Sequence, residues 1–208
     1  MRTKKSDKHI RILDAAVRVF AKKGFFQSRI SDIADEAGVA DGTVYLYFKN
    51  KDDLLISIFE VKMREVVERF HKEISEKKDA AARLECLIQM HFDEFQSNPD
   101  LAAVFQVELR QSNRFMREYK KSELKQYLDL IGEIVELGQQ EGAFRSDIPV
   151  GLAKRMIFGT LDEVVSTWVL AERRFGLESL VEPLVDLFLR GFQAEPLVQS
   201  NSQSSRTV

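Results

Sequence analysis

The sequence predicts an all-α protein of about nine helices, an N-terminal helix-turn-helix unit followed by a larger helical body. Apolar residues recur at three- and four-residue spacings over nearly the whole chain, which is the period of an amphipathic helix. Only four prolines and ten glycines interrupt the 208 residues. The predicted helices cover residues 8–23, 29–36, 40–47, 51–76, 79–96, 99–111, 113–141, 149–173 and 177–193.

Glycine and proline mark several of these helix boundaries. Gly24 and Gly142 follow the last apolar residue of two periodic stretches, where a left-handed residue often ends a helix. Asn98 and Pro99 predict a capped helix start, and Pro149 predicts another. Proline suits the first helical position because the N–H group that it lacks has no partner within the helix there.

One stretch, residues 39–48, also fits a β-hairpin. Asp41-Gly42 is a favourable hairpin turn, and a β-branched and aromatic run follows it. A two-stranded hairpin alone is marginally stable in water, and the sequence offers no other strand-like partner. We therefore predict a helix, although local propensity alone would not decide between the two.

Composition limits the classes of protein to which the chain can belong. Hydrophobic residues make up 44% and charged residues 31%, the balance of a globular protein. No apolar run approaches the roughly 18 residues of a membrane span, and no signal-peptide core follows the charged N-terminus. Cys86 is the single cysteine, which excludes an internal disulfide. We expect a cytoplasmic protein.

The residue patterns of enzymes are missing. His9, His71 and His91 lie on separate predicted helices without a Glu-x-x-His pairing, so no metal site is expected. No glycine-rich phosphate loop, nucleophile elbow or catalytic dyad spacing occurs. We expect neither catalysis nor a bound cofactor.

Charge is distributed unevenly along the chain. Residues 1–50 contain ten Lys and Arg against six Asp and Glu, whereas residues 51–208 have a net charge of −6. A basic head on an acidic body suggests that the head binds an anion, although ordinary scatter of surface charge gives a similar excess. We predict a head at 1–50, a body at 51–193, and a disordered Ser/Gln-rich tail at 194–208.

Residues 30–49 have the spacing of a helix-turn-helix. Ala34 is small where two helices cross closely, and Gly38, four residues later, suits a turn that needs a left-handed backbone. Val44 would pack the second helix onto the first, beside Ile33 and Ala37. Other helical hairpins satisfy the same spacing, so the pattern alone does not establish DNA binding.

Turning those apolar residues inward leaves a polar face on the second helix, formed by Asp41, Gly42, Thr43, Tyr45 and Tyr47. A short helix start with small residues and hydroxyl groups can enter the roughly 12 Å wide major groove of DNA. Helix starts nearby place further residues for phosphate contacts, namely Ser28, Arg29, Lys49 and Lys51. Core packing is the favoured role for Phe48, whereas Tyr47 fits either role.

The segment from Ile33 to Leu54 resembles the DNA-binding signature of TetR-family transcriptional regulators, and Ile12 to Gly24 resembles the first helix of that family. Ala40 departs from the pattern, because many members have a serine there that caps the recognition helix. The resemblance implies a homodimer formed through residues 149–193, a pseudo-palindromic double-stranded operator, and a variable ligand pocket in the body.

Two body segments, residues 105–113 and 157–169, resemble the fatty-acid degradation regulators of this family. That resemblance implies a repressor of β-oxidation genes that long-chain acyl-CoA releases from DNA. Such a ligand needs a long apolar slot with cationic groups at its entrance. For each candidate residue of that slot, packing in the core is the alternative role. The candidate slot residues are Phe92, Phe95, Leu101, Val104, Phe105, Leu109, Leu128, Ile131, Phe158 and Trp168. Arg110 is the best candidate for the anionic CoA end.

Two rival functions remain open at this point. One is a helical module that binds small molecules but does not bind DNA. A head without hydroxyl groups and basic flanking residues would favour that function. The other is a TetR-like repressor of efflux or other genes that responds to a different lipophilic molecule. Buried acidic residues in the pocket would favour that second reading, whereas Arg110 in the pocket would favour acyl-CoA.

Overall fold

The computed structural model describes residues 4–108 and 122–193, whose regular structure is helical. The α-helices are α1 Lys4–Lys23, α2 Ile30–Ala37, α3 Asp41–Tyr45, α4 Lys51–Ser75, α5 Ala80–Ser97, α6 Pro99–Ala103, α7 Ser122–Gln140, α8 Val150–Leu170 and α9 Val181–Phe192. A π-helical turn, Val104–Glu108, continues α6, and a 3-10 turn, Leu177–Leu180, leads into α9.

The predicted all-α class is confirmed. Within the described ranges no strand forms, and Phe144 and Gln193 make an isolated bridge. The hairpin alternative is wrong, because residues 41–45 are helical. α1 begins at Lys4 rather than at residue 8, since its first turn consists of polar residues outside the apolar stripe. Residues 109–121, which two predicted helices were to share, lie outside the described part of the chain.

Most of the predicted boundary signals act as expected. Gly24 and Gly142 adopt positive φ angles of 79° and 72° where helices end. Pro99 occupies the first turn of α6. Pro149, however, is the N-cap of α8 rather than its first residue, so the prediction was displaced by one position.

The head consists of α1, α2, α3 and the first turns of α4. Ile12, Leu13 and Phe20 of α1 are fully buried, and so are Ile33 of α2 and Val44 of α3. These side chains form the apolar core that fixes the angle between the two helices of the helix-turn-helix. The head therefore depends on α1 as much as on the motif itself.

In the body, α5 and α7 pack against α4, α8 packs against α7 and α5, and α9 lies against α5. Phe70 of α4, Leu84 of α5 and Ile131 of α7 lie in this core. With 25 residues, α4 is about 37 Å long, so a single rigid element belongs to both the head and the body. Among the described helices, none has the length and apolar character that a membrane crossing requires.

Candidate functional site

The helix-turn-helix is built as the sequence predicts. Ile33, Ala34 and Val44 are inaccessible to solvent, because α2 and α3 cross where Ala34 leaves room. Gly38 ends α2 with φ 63° and ψ 44°, a left-handed conformation that a residue with a Cβ adopts at a cost. Nη2 of Arg11 donates a 2.6 Å hydrogen bond to the carbonyl of Ala37, which fastens this turn to α1.

The opposite face of α3 is open to solvent. Asp41 and Gly42 are exposed, and 57% of the Tyr45 side chain is accessible. Thr43 and Tyr47 are half-buried, with the Tyr47 ring 5.9 Å from that of His9. Of the five residues predicted for the groove-facing surface, three are therefore exposed and two are half-buried. We call these five residues the α3 face.

Ala40 does not displace the start of α3. The helix begins at Asp41, with Ala40 as an N-cap that offers no side-chain hydrogen bond. The N–H of Thr43 donates to the Ala40 carbonyl at 2.8 Å. Since a serine or threonine cap adds about 0.5–2 kcal/mol of stability, this helix is held by the packing of Val44 rather than by its cap.

The four predicted phosphate contacts fall into two groups. Arg29 and Lys49 are exposed. Ser28 is 3% exposed, and its hydroxyl donates to the Gly24 carbonyl at 2.6 Å, so the side chain is not directed at a phosphate. Nζ of Lys51 donates to the carbonyls of Ser28 and Phe26, at 2.9 and 3.2 Å.

Lys51 therefore fastens the loop before α2 to the start of α4. Its ammonium also lies 4.6 Å from the centre of the Phe25 ring, a cation–π contact. Burial lowers the pKa of this ammonium from its ordinary value. Asn50 caps α4 by accepting a 2.9 Å hydrogen bond from the N–H of Asp53. The first turn of α4 is thus bound to the head.

These contacts predict different effects for two neighbouring lysines. Lys49→Ala should reduce the salt dependence of operator binding by about one counterion and leave the melting temperature unchanged. Lys51→Ala should lower the melting temperature by about 3–6 °C, since it removes hydrogen bonds from a charged donor. Thermal denaturation and operator titrations over a range of salt concentrations measure both. A smaller salt slope for Lys51→Ala at an unchanged melting temperature would place that ammonium on a phosphate instead.

The body contains most of the predicted slot residues in one aromatic region. Phe92 and Ile131 are fully buried, and Leu101, Val104, Phe95 and Phe105 are at most 9% exposed. Leu128 and Phe158 are half-buried at its edge. The ring of Phe105 lies 4.9 Å from Phe59 of α4 and 6.1 Å from Phe95 of α5. Leu109 and Arg110 lie outside the described residues.

Trp168 has a different environment from the other slot candidates. Its indole N–H donates to the Phe175 carbonyl at 2.7 Å, and the Arg173 guanidinium lies 5.9 Å from its ring centre. Arg173 in turn donates to the carbonyl of Pro99 at 3.0 Å. These contacts hold the loop after α8 against the start of α6.

A polar network crosses the body next to the π-helical turn. Gln106, 7% exposed, donates to Oδ1 of Asp162 at 3.1 Å and accepts a 3.0 Å hydrogen bond from the hydroxyl of Ser166. Both partners belong to α8. π-Helical turns are rare and occur frequently at functional sites. The network joins that turn to α8 in the interior of the body.

A second buried polar pair lies among the aromatic residues. Nδ1 of His91 on α5 is 2.7 Å from the hydroxyl of Tyr127 on α7. Within the described part of the chain, Nε2 of His91 is buried without a hydrogen-bond partner. Burial lowers the pKa of His91 to about 3, which keeps the imidazole neutral, and raises the pKa of Tyr127.

Comparison with known proteins identifies the family. Residues 12–58 match the model of bacterial regulatory proteins of the tetR family, and residues 59–191 match the model of the YsiA-like protein, C-terminal region. The chain belongs to the TetR family. The predicted resemblance is thereby confirmed over both the head and the body.

Two relatives within the TetR family are similar over nearly their whole length. The fatty acid metabolism regulator protein of Bacillus subtilis is 44% identical over 187 residues, which are 90% of this chain and 96% of that protein. The structure of FadR from Bacillus subtilis in complex with stearoyl-CoA has a TM-score of 0.83, covering 88% of this chain and 99% of that one. FadR from Bacillus halodurans superposes with a TM-score of 0.86 at 44% identity, covering 91% and 98%.

His91 and Tyr127 were not predicted from the sequence as site residues. The signal was present, because His91 follows Leu84 and Ile88 at helical spacing on the buried side of α5. A polar residue at an apolar position of an amphipathic helix indicates a buried hydrogen bond. The roles of Gln106 and Lys51 were not predicted either, and their partners are 23 to 60 positions away in the sequence.

Proposed function

We propose that this protein is a transcriptional repressor of fatty-acid degradation genes that long-chain acyl-CoA releases from its operator. The observation that supports this most strongly is the 44% identity, over both head and body, to a regulator whose structure contains stearoyl-CoA. Operator DNA and acyl-CoA are its partners in this proposal, which assigns the protein no catalytic role and places it in the cytoplasm.

The α3 face is the proposed groove-reading surface. Thr43 and Tyr45 present hydroxyl groups there, and exposed Gly42 lets the backbone approach the DNA closely. Arg29 and Lys49 flank the face as phosphate contacts. Ser28 and Lys51 act behind it by fixing the loop on which Arg29 stands.

The proposed dimer interface lies on α8 and α9, within the predicted residues 149–193. Large apolar side chains are exposed there, and Leu187 is 62% accessible on α9. A Cβ added to Gly159 of α8 would meet no atom within 4 Å, so this face leaves room for a second helix. A symmetric dimer reads a pseudo-palindrome with recognition helices about 34–36 Å apart, or at a larger multiple of the helical repeat.

The aromatic region between α5, α6, α7 and α8 is the proposed site for the acyl chain. Each buried CH₂ group contributes roughly 0.8 kcal/mol, so a long chain provides roughly 10 kcal/mol before ordering costs. Coupling between two sites in allosteric proteins is typically about 1–3 kcal/mol. Binding of the chain therefore supplies more free energy than release requires.

Helix α4 connects the proposed effector site to the DNA-binding head. Its first turn is bound to the head through Lys51, while Phe59 contacts Phe105 at the effector site. A cleft of about 510 Å³ lies between α1, α4 and the turn after α5. A 3.0 Å ion pair between Lys62 of α4 and Asp14 of α1 spans this cleft. A tilt of α4 would change the spacing of the two recognition helices.

This mechanism predicts release by the complete effector and not by its headgroup. Palmitoyl-CoA should weaken operator binding at least about tenfold, equivalent to about 1.4 kcal/mol of coupling, and operator DNA should weaken palmitoyl-CoA binding by the same factor. Free CoA should have a much smaller effect, because it lacks the chain. Titration of a labelled operator complex with each compound measures the difference.

The titration also tests the alternative of a repressor that responds to another lipophilic molecule. A buried carboxylate able to bind a cationic ligand would support that alternative. Glu123 is 7% exposed, but it lies 3.5 Å from Arg64 and accepts a hydrogen bond from the Ser122 hydroxyl. Equal effects of palmitoyl-CoA and CoA, or no effect of either, would favour this alternative.

A further inference from the structure

The His91–Tyr127 pair contains a buried donor for which the described residues provide no acceptor. A neutral imidazole has one N–H donor and one bare nitrogen. If the Tyr127 hydroxyl donates to Nδ1 across their 2.7 Å separation, Nε2 bears the hydrogen and only that hydrogen is unsatisfied. The reverse arrangement would leave both the hydroxyl hydrogen and the lone pair of Nε2 unsatisfied, so the first arrangement is the more stable.

Aromatic rings surround most of the pair, and besides burial the nearby carboxylate of Asp162 raises the pKa of Tyr127. Phe95 and Phe92 lie 5.1 and 6.0 Å from the His91 ring, between ring centres. Phe70 and Phe158 each lie 6.1 Å from the ring of Tyr127. Buried donors in folded proteins nearly always have an acceptor. A donor within this predicted ligand region therefore indicates that the ligand provides one.

We propose that Nε2 of His91 donates a hydrogen bond to the thioester carbonyl oxygen of the bound acyl-CoA. This inference rests on the proposed function and adds a specificity determinant to it. The thioester carbonyl is the acceptor bonded directly to the acyl chain, so it enters an apolar site together with that chain. Tyr127 is a positioning residue, because its hydroxyl fixes which imidazole nitrogen bears the hydrogen.

The chemistry of the pair favours an uncharged acceptor. The imidazole is neutral, and the aromatic rings around it offer no compensation for a buried anion, which is costly to desolvate. The carboxylate of a free fatty acid is therefore a poor partner at this position. The pair would let the protein respond to the activated thioester rather than to the free acid.

The test compares two ligands that differ at one atom. Palmitoyl-CoA has a carbonyl next to sulfur, whereas S-hexadecyl-CoA, a thioether of the same chain length, has a CH₂ group there. We expect the full-length protein to need about three- to tenfold more thioether than thioester for half-release of labelled operator, the factor of one hydrogen bond. His91→Leu should reduce this ratio to about one, and His91→Gln, which retains an amide donor, should preserve much of it.

The outcomes separate this inference from the function on which it rests. Equal potency of the two ligands on the unmodified protein would overturn the His91 contact and leave the acyl-CoA response intact, whereas no release by either would refute the proposed function. A thioether-to-thioester ratio that is unchanged in His91→Leu would also overturn the inference. Tyr127→Phe provides a second variant, in which the ratio should fall because the tautomer is no longer fixed. If His91→Leu fails to fold, the ratio measured with Tyr127→Phe tests the contact in its place.

Discussion

A Leu187→Glu variant is expected to sediment as a monomer at micromolar concentration. Leu187 is 62% exposed in the single protomer, so a glutamate there costs little in folding. In the proposed dimer the same carboxylate would be buried against the partner's apolar surface, where an unpaired charge is strongly destabilising. We expect dimer dissociation to rise by at least about 100-fold, equivalent to about 2.7 kcal/mol.

Loss of the dimer should also remove most of the operator affinity, because a monomer engages one half-site at a time. Sedimentation velocity and operator titration of the same preparation measure both effects. Leu46→Glu is the matched control for oligomeric state, since Leu46 is 80% exposed but lies in the head. A Leu187→Glu protein that remains dimeric would move the interface away from α9.

A Val44→Asn variant should lose the structure of the recognition helix. Val44 is inaccessible to solvent. Because α3 has no side-chain N-cap, no capping hydrogen bond would hold the helix once the packing of Val44 is lost. Placing an amide in this apolar position costs about 3 kcal/mol, which corresponds to a decrease in melting temperature of about 6–12 °C. Operator affinity should fall at least about tenfold, since each 1.4 kcal/mol is tenfold.

Leu46→Asn is the matched control for this experiment, because the same substitution is made two residues further along the chain on an 80% exposed side chain. It should leave the melting temperature unchanged. Both variants should remain dimeric by sedimentation, since the substituted residues lie in the head. Equal melting temperatures for the two variants would mean that Val44 does not hold α3 against α2.

The parts of the head that the sequence predicted are those that local packing determines. Two short helices that cross at a steep angle need a small residue, a left-handed turn and an apolar plug, and Ala34, Gly38 and Val44 occupy these positions. The burial of Phe48, at 2% exposure, was predicted for the same reason. Residue type and spacing are enough to predict such contacts when the partners are close in the chain.

The parts that sequence reasoning missed depend on contacts between distant residues. Lys51 bonds to carbonyls 23 and 25 positions away, and Gln106 bonds to side chains of α8 that are 56 and 60 positions away. A lysine at a helix start looks the same in sequence whether it faces a phosphate or its own backbone. Such roles follow from the tertiary fold rather than from any local pattern.

The π-helical turn at residues 104–108 also bears on how homologous chains are compared. A π turn closes its hydrogen bond one residue later than an α turn, so it accommodates one additional residue. A homologue shorter by a single residue here could replace the π turn with regular α-helix and keep the residues that follow in the same orientation. In a sequence alignment, the position of the gap at this turn therefore determines which side chain of a homologue is aligned with Gln106 and with each residue after it.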